Sequence, residues 1–550
     1  MSLRPCETYS VPHETAGVAR AIFPDGNLVM RINDELGLLF HDRDFADLFP
    51  IQGQPAEAPL RLALVTLLQF MEGLTDRQAA AAVRTRIDWK YLLCLELTDP
   101  GFDHTVLSEF RTRLLAHGAE RRLFDAILTH AHERGWVKAG GRQRSDSTHV
   151  LGAMHGLSRI DVVTETLGHA LNDLATLVPG WLRSQVPAEW VERYAVRPSE
   201  YRLPKGEAKR IAWAEQTGAD GMTLLTALHA NSAPPDLRTL PAVETLRQVW
   251  VQNFMVKEGR VVWRENNNAP PCGRYIASPY DPDARYAMKR ETCWTGYKVH
   301  LTETCDEERP NLITNVETTT AAVAADGVTE QIHAHLAERQ LLPDKHIADT
   351  GFVNSVLFVS SRKTYGIDLI GPTRGDNHWQ AKAGAGFAAR DLVIDWEHQA
   401  ATCPQGKTSL SWTPALDKVK NHVIKIKFGK TDCQSCPVSA QCTRTIPPRR
   451  TITLRPQAQH EALLAGRQRE QTKEFSAEYA RRAGVEGTIA QGVRSHKMRR
   501  SRYFGLPKTH LQPLMTAAAM NVVRMLHWLA GEPKAITQVS AFARLYQPVT

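Results

Sequence analysis

The alternation of strand-like and helix-like segments between residues 295 and 370 constrains the fold more than any other feature. Residues 295–302 and 312–318 have strand composition and flank a charged turn, which is typical of a hairpin. A helical segment at 325–339 follows, then a short strand at 346–349, a second helix, and a strand at 367–370. This order predicts an α/β fold built on a mixed sheet.

The chain is predicted to be helical from about residue 32 to residue 136. Apolar residues recur at helical spacing near Leu64, and Thr75 with Gln78 has the form of a capping box. Another helix runs from about 105 to 117 and ends at Gly118. Two short helices joined by residues 88–91 fit a helix-turn-helix that contacts DNA. A small helical bundle with a solvated basic face explains the same pattern.

The remaining segments divide the chain further. Residues 144–151 read as a strand, 157–252 as amphipathic helices, and 511–529 as another amphipathic helix. We therefore predict a helical N-terminal domain at 1–136, a sheet-containing domain at 137–530 and a tail at 531–550. The second domain is interrupted by a mostly helical insertion at 152–275 and a small cysteine-containing β insertion at 373–460.

Composition sets broad limits on function. The 550 residues can form two to four domains, and the net charge of +8 is compatible with a polyanionic partner. The N-terminus has no secretory h-region, and no apolar run approaches the roughly 20 residues of a membrane span. The nine cysteines are mostly scattered, as in a reducing cytosol. We expect a soluble cytoplasmic protein without membrane contact.

A glutamate near the C-terminus has unusual neighbours. Glu486 lies in a helix-like segment with Gly484, Gly487 and Gly492, although each helical glycine costs about 1 kcal/mol relative to alanine. A helix accepts that cost where another backbone or a ligand comes close. The adjacent arginines and the basic run that follows indicate that this acid contacts a metal ion and a phosphate group.

Two further acids, Asp146 and Asp349, lie in or at the end of strand-like segments far upstream of Glu486. Phosphodiester cleavage and strand transfer use two divalent cations held by carboxylates from separate elements. Hard oxygen ligands select Mg²⁺ or Mn²⁺ over zinc. Taken alone, each acid is better explained as a turn, helix-cap or surface residue. Taken together with their flanking residues, the three acids predict a metal-dependent reaction on nucleic acid.

The motifs around these acids resemble those of the DDE transposases of bacterial insertion sequences. Ser-Asp-Ser-Thr at 145–148 is similar to the first catalytic motif of that family, and Ala-Asp-Thr-Gly-Phe at 348–352 to the second. Tyr479, Arg482 and Glu486 reproduce the family spacing Y-x₂-R-x₃-E. Residues 278–300 and 499–510 also resemble this branch, and the likeness extends over about 36–529. The resemblance implies an RNase H-like core preceded by a helical domain.

The resemblance also implies roles for individual residues. Asp146, Asp349 and Glu486 would be the catalytic acids and the ligands of Mg²⁺ or Mn²⁺. Tyr479 and Arg482 would contact the DNA backbone beside the scissile phosphate, where a guanidinium binds phosphate bidentately. The family often has a basic residue at the position of Val493, and that role passes to Arg494.

The implied function is transposition. The protein would bind the terminal inverted repeats of its element, cut there, and join the ends to target DNA. The implied partners are double-stranded DNA and a second copy of the chain in a synaptic homodimer, and residues 1–136 would bind DNA. A nucleoid-associated location follows from these partners. Two alternatives remain open: a structure-specific nuclease without strand transfer, and a DNA-binding derivative whose catalysis has decayed.

A basic segment follows Glu486, with Tyr503 and Phe504 among its charges. Lysine and arginine neutralise phosphates, and aromatic rings stack on splayed bases. Proximity to Glu486 favours DNA contact over an ordinary solvated face. The predicted contacts are Arg494, Lys497, Arg499, Arg500, Arg502 and Lys508.

Four cysteines form a second cluster of chemically active residues. Cys433 and Cys436 are a C-x₂-C pair, Cys442 follows closely, and Cys403 lies upstream in a knuckle-like turn. Four thiolates are typical of a closed, tetrahedral structural Zn²⁺ site. Reduced cysteines in a small sheet explain the same residues without metal.

Overall fold

The computed structural model describes residues 2–154, 156–195, 204–534 and 545 of the chain. Most of the predicted tail at 531–550 lies outside these ranges. Across the ranges described, no helix has both the length and the apolar character that crossing a membrane requires.

Helices occupy the chain before the first strand. They are α1 (His13–Ile22), α2 (Leu28–Arg31), α3 (Pro59–Glu72), α4 (Asp76–Thr85), α5 (Ile87–Leu92), α6 (Thr105–Ala116) and α7 (Arg122–Glu133). The predicted capping box at the start of α4 is confirmed, because Gln78 N–H donates to Thr75 Oγ1 and Thr75 N–H donates to Gln78 Oε1. Gly118 has a φ of 61°, and α6 ends two residues before it, as its sequence predicts.

The predicted turn at residues 88–91 is wrong. These residues lie inside α5, and all four are buried. Trp89 and Tyr91 supply large apolar surface to the interior, so packing favours a further helical turn over an exposed loop. Arg86 separates α4 from α5 and donates to the carboxylates of Glu72 and Asp88.

The first strand and the helical insertion follow. They comprise β1 (Arg142–Leu151), α8 (Arg159–Leu177), α9 (Pro179–Gln185), α10 (Trp190–Tyr194), α11 (Glu207–His229), α12 (Pro241–Asn253) and the hairpin β2 (Phe254–Lys257) and β3 (Arg260–Trp263). The insertion buries its own apolar cluster, which includes Leu167, Leu228 and Leu246. Trp250 lies directly against Gly221, where a Cβ would meet its ring at 2.1 Å.

The central sheet is completed by the segment with alternating periodicity. Its elements are β4 (Arg285–Lys289), β5 (Thr292–Thr304), β6 (Ile313–Thr320), α13 (Thr329–Glu338), β7 (Lys345–Ala348), α14 (Ser355–Tyr365) and β8 (Asp368–Ile370). Within the described residues the sheet has six strands in the order β4-β5-β1-β7-β8, with β6 paired to β5. β1 runs antiparallel to β5 and parallel to β7, and β7 runs parallel to β8.

A small β insertion follows this sheet. It contains α15 (Trp379–Ala383), β9 (Val393–Asp395), β10 (Ala400–Thr402), β11 (Ser411–Leu416), β12 (His422–Lys427), α16 (Lys430–Gln434), α17 (Ser439–Cys442) and β13 (Thr451–Leu454). β11, β12 and β13 form an antiparallel sheet in that order. Its apolar residues, among them Ile426 and Phe428, pack in a cluster separate from the main core.

Four helices close the described chain: α18 (Gln457–Arg469), α19 (Lys473–Ala480), α20 (Gly484–Arg494) and α21 (Leu506–Leu529). α21 was predicted to be amphipathic, but most of its residues are buried. It packs on α3, α7 and β6, and Asn521 exchanges hydrogen bonds with the backbone of Ile313 at 2.8 Å each. Through α21 the N-terminal helices and the sheet share one core. The domain boundary at residue 136 stays a prediction.

The predicted fold class is confirmed. A mixed sheet carries helices, a helical region precedes it, and a helical and a cysteine-containing β insertion interrupt it. The strand directions and order are those of an RNase H-like core. This arrangement brings the end of β7 beside β1, which positions the first two predicted acids.

Candidate active site

Asp146 and Asp349 are neighbours because β1 and β7 are paired in parallel. Ser145 lies opposite Ala348 in the register, so the acid that follows each residue emerges at the same place in the sheet. Asp146 Oδ1 accepts a hydrogen bond from Ser147 N–H at 2.7 Å, and Asp349 Oδ1 accepts one from Gly351 N–H at 2.8 Å. Local backbone donors therefore orient both carboxylates.

Glu486 reaches the same region from α20. The helix lies close to β1, and the cause is visible at Gly484, where a Cβ would meet the guanidinium of Arg144 at 2.1 Å. Arg144 Nη1 donates to the carbonyl of Arg481 at 2.6 Å. Gly484 thus provides the space that lets the start of α20 approach the strand carrying Asp146.

The other two glycines of α20 differ from each other. A Cβ at Gly492 would meet Met498 at 2.8 Å, so this glycine serves side-chain packing. At Gly487 a Cβ would meet nothing within 4 Å. The expectation that a close neighbour explains the glycines therefore holds at two of the three positions.

A buried network beneath the site ties α20 to the sheet and to α21. Glu303, on β5, is fully buried and accepts hydrogen bonds from Arg144 Nε at 2.8 Å and from Arg524 Nη1 at 2.9 Å. Thr488, two residues after Glu486, donates to the same carboxylate at 2.5 Å. Glu303 thus joins β1, α20 and α21 around one carboxylate. Sequence reasoning missed this residue, because its partners lie more than 150 positions away.

Arg482 connects two of the three acids. Its Nη2 donates to Asp146 Oδ2 at 2.8 Å and its Nη1 donates to Glu486 Oε1 at 3.0 Å. The Arg482 side chain is only 15% exposed, and its Nε is buried without a hydrogen-bond partner in the described part of the chain. The guanidinium therefore offsets part of the negative charge of the acid cluster, and its buried Nε–H is an unused donor.

Electrostatic effects place Tyr479 and Asp349 in the same cluster. Burial raises the pKa of the Asp146 carboxyl, Arg482 opposes this rise, and the nearby Asp349 adds to it. Burial likewise raises the pKa of the Tyr479 hydroxyl, and Asp349, Asp146 and Glu486 raise it further. The Tyr479 ring stacks on Phe475 with centroids 5.6 Å apart. Tyr479 and Arg482 therefore both lie within electrostatic range of all three acids.

The donor set suits a hard divalent cation. Three carboxylates from β1, the end of β7 and α20 converge, and the burial and mutual repulsion of Asp146 and Asp349 favour a cation beside them. Among the described residues, however, no group of three or more His, Cys, Asp or Glu side chains is arranged to hold a metal ion. The guanidinium of Arg482 bridges two of the three acids, Asp146 and Glu486.

The predicted basic contacts fall into two groups. Five of the six side chains are exposed: Arg494, Lys497, Arg499, Arg500 and Lys508. Arg499 Nη2 donates to Thr148 Oγ1 at 3.2 Å, two residues along β1 from Asp146. Arg502 differs, because its Nη1 donates to the carbonyl of Leu74 at 2.7 Å and its guanidinium lies over the ring of Phe70. In this structure Arg502 is a packing residue.

Lys289 is a neighbour of the acids that sequence reasoning missed. This exposed lysine ends β4, and its charge lowers the pKa of Asp146, although burial remains the largest influence on that group. It also lowers the pKa of His149, after burial and Arg499. Lys289 is not part of a recognisable sequence motif. Only the pairing of β4 with β5 and of β5 with β1 brings it near the acids.

The four cysteines of the β insertion lie around one pocket. Cys403, Cys433, Cys436 and Cys442 all line it, although they come from three separate segments. Burial raises the pKa of the Cys442 thiol, and the other three cysteines raise it further. Four sulfur donors suit Zn²⁺. No group of three or more potential metal ligands, these cysteines included, is arranged to hold an ion within the part of the chain that the structure describes.

Comparison with known proteins matches two parts of the chain. A family model described as "Transposase domain (DUF772)" matches residues 18–113, and one described as "Transposase DDE domain" matches residues 402–526. No curated protein and no solved structure matches the chain significantly. The second match includes Glu486, whereas Asp146 and Asp349 lie outside both.

The residues matched by the two family models coincide with structural elements already described. One covers the N-terminal helices and the other covers α20 with most of the β insertion and α21. Both descriptions name a transposase, and the RNase H-like sheet lies between the matched regions. The family-model matches in both parts of the chain support an insertion-sequence DDE transposase.

Proposed function

We propose that this transposase binds the terminal inverted repeats of its element and catalyses metal-dependent strand cleavage and strand transfer. The observation that carries the proposal is the convergence of Asp146, Asp349 and Glu486, with Arg482 hydrogen-bonded to two of them. These residues lie on three elements that are far apart in sequence. Structural roles alone do not require three acids and a tyrosine around one guanidinium.

The three acids would hold Mg²⁺ or Mn²⁺. When bound, such ions activate an oxygen nucleophile and stabilise the leaving oxygen of a phosphodiester. Asp146 and Asp349 would supply oxygen ligands from the rigid sheet, and Glu486 would supply a third from a 64% exposed position on α20. Glu486 is the most exposed of the three proposed ligands.

The chain's own residues would orient the DNA. Arg482 has an unused Nε donor, and its two occupied donors become available for a phosphate when the carboxylates are neutralised otherwise. Tyr479 lies beside it, with its hydroxyl near all three acids. We propose that both contact the backbone at the scissile phosphate. Arg494, Lys497, Arg499, Arg500 and Lys508 would extend this contact along the duplex.

The activity is tested with DNA that carries both ends flanking the gene. We expect Mg²⁺-dependent cuts at these ends and joining of the cut ends to a second DNA molecule. Cleavage without joining would favour a structure-specific nuclease. Binding without cleavage, in Mn²⁺ as well as Mg²⁺, would favour a catalytically decayed DNA-binding derivative.

We propose further that the N-terminal helices of residues 1–136 bind DNA and that two copies of the chain pair the element ends. Binding to chromosomal DNA would make the protein nucleoid-associated. Arg77, on α4, is exposed and available for such contact. Analytical ultracentrifugation with end-containing DNA would measure whether one or two chains assemble on a pair of ends.

Arg482→Gln is expected to bind Mn²⁺ about tenfold more tightly than the wild type. The guanidinium competes with a cation for Asp146 and Glu486, and glutamine removes its charge while retaining a polar side chain. Isothermal titration calorimetry on the DNA-free protein measures this directly. Arg481→Gln is the matched control, because Arg481 pairs instead with the exposed Glu307. Unchanged or weaker binding by Arg482→Gln would contradict competition.

The β insertion is expected to contain about one Zn²⁺ per chain. We propose that Cys403, Cys433, Cys436 and Cys442 are its ligands. Elemental analysis by mass spectrometry should detect zinc in the purified protein and show its loss in the double variant Cys433→Ser with Cys436→Ser. Cys6→Ser with Cys293→Ser is the control, since both cysteines are exposed. Absence of zinc from protein purified without chelators would refute the assignment.

A further inference from the structure

Most of the excess positive charge of the chain lies in the β insertion. Residues 373–460 contain thirteen Lys and Arg against six Asp and Glu, a net charge of +7, and the formal charge of the whole chain is +8. The insertion is therefore strongly basic, while the rest of the protein is close to neutral. This concentration of charge is separate from the basic segment that follows Glu486.

The sheet β11-β12-β13 has two chemically different faces. One face carries Trp412, Ile424, Ile426, Ile452 and Leu454, which pack into the small core of the insertion. Because side chains alternate along a strand, the remaining positions form the opposite face. Apart from Ala415 and the buried Val423 at one end, that face is polar and is turned away from the core.

Two lysines occupy the centre of the polar face. In the register, Lys427 lies between Ser411 and Thr451, and Lys425 lies between Thr413 and Thr453. Both lysines and both β13 threonines are exposed. The accessible part of the face is thus two ammonium groups flanked by the exposed threonines of both neighbouring strands, whereas the Ser411 hydroxyl oxygen is buried. We call these six residues the lysine face.

The lysines of this face lack intramolecular partners. Neither Lys425 nor Lys427 makes an ion pair or a side-chain hydrogen bond with any described residue. More unpaired lysines lie near the two ends of β12: Lys418 and Lys420 in the turn before it and Lys430 at the start of α16, all exposed. The nearby Asp417 carboxylate is already engaged by Asn421 and by Arg455.

Protection of a sheet edge does not explain the arrangement. Exposed lysines often prevent strands at the edge of a sheet from pairing with other chains. Lys425 and Lys427 lie on β12, which is the central strand and is paired on both sides. Two like charges on one face of one strand repel each other, and a polyanion that covers them would remove that repulsion.

We propose that the lysine face binds the sugar–phosphate backbone of duplex DNA without reading its sequence. Ammonium groups and Ser/Thr hydroxyls are common donors to phosphate oxygens. The face contains no aromatic side chain on which unpaired bases could stack, which favours duplex over single-stranded DNA. This inference rests on the proposed function for DNA as the partner. It adds a second DNA-binding surface, on an element other than the one that carries Glu486.

The test is the salt dependence of binding to a random-sequence DNA duplex of about 30 base pairs, roughly three helical turns. Fluorescence anisotropy would be measured on the full chain in EDTA, so that cleavage plays no part. The variant Lys425→Thr with Lys427→Thr keeps residues suited to a strand and matches the flanking threonines. Its control, Lys209→Thr with Lys257→Thr, removes the same charge from exposed positions of the helical insertion.

For the lysine-face variant we expect affinity to fall about tenfold or more at 0.1 M salt. The slope of log K against log[salt] should become shallower by about 1.8, because two phosphate contacts are lost at about 0.9 each. The control should keep the wild-type slope. An unchanged slope in the lysine-face variant, or an equal loss in the control, would overturn the proposal.

The outcome is separable from that of the proposed function. If the wild type binds duplex DNA through the lysine face but cuts nothing in Mg²⁺ or Mn²⁺, the binding surface stands and the catalytic proposal fails. If the wild type cuts element ends and the lysine-face variant binds the random duplex normally, the catalytic proposal stands and the lysine face is refuted.

Discussion

Asp349→Asn is expected to lower the rate of strand cleavage at element ends by about a thousandfold or more, equivalent to about 4 kcal/mol of transition-state stabilisation. The substitution removes the charge of a proposed metal ligand at the end of β7 and leaves a side chain of nearly the same shape. Asn Oδ1 can still accept the hydrogen bond from Gly351 N–H, so the local turn should persist. The loss should therefore be one of chemistry and not of folding.

The measurement is single-turnover cleavage of labelled end DNA in Mg²⁺, with binding measured in parallel in EDTA. Binding should stay within a few-fold of the wild type. Asp236→Asn is the matched control, because Asp236 is an exposed aspartate of the helical insertion. If Asp349→Asn cleaves at the wild-type rate, Asp349 is not an active-site residue, whatever the result for the other acids.

Glu303→Gln is expected to destabilise the protein by about 3–5 kcal/mol, the usual result of removing one partner of a buried ion pair. Glu303 is fully buried between Arg144 and Arg524, whose side chains are also largely buried. The neutral amide would leave two guanidinium groups without a counter-charge. It would also place an NH₂ group where one carboxylate oxygen accepts a hydrogen bond from Thr488.

The effect is measured as the shift of the urea unfolding midpoint, followed by tryptophan fluorescence. Glu244→Gln provides the comparison, because Glu244 pairs with Arg247 on the surface of α12 and is 41% exposed. Exposed pairs of this kind contribute up to about 1 kcal/mol. If both variants shift the midpoint equally, the buried Glu303 network contributes no more to the free energy of unfolding than an exposed ion pair does.

Local patterns in the sequence were sufficient to predict most of the secondary structure. The capping box at Thr75, the end of α6 before Gly118 and the β5–β6 hairpin each depend on a few adjacent residues, and each was predicted correctly. The main failure, the turn at 88–91, occurred where buried aromatic residues extended a helix. Tertiary packing outweighed local turn propensity at this point.

The site was predictable in part for the same reason. Asp146, Asp349 and Glu486 stand in short motifs that are recognisable without a structure, and the structure brings them into one cluster with Tyr479 and Arg482. Their catalytic roles remain proposals. Arg502 belongs to the same basic run as Arg499, yet only the position of the N-terminal helices turns its guanidinium toward Leu74.

By itself, the sequence determined the mixed α/β class and the order of most strands and helices, and it predicted the three candidate acids, because these depend on periodicity and on motifs of a few residues. Only the tertiary structure decided that Arg482 bridges Asp146 and Glu486, that Glu303 joins β1 to α20 and α21, and that two lysines occupy the open face of the small sheet. These features depend on strand register and on contacts between residues far apart in the chain. Such contacts are set by the packing of the whole core, which no local pattern records.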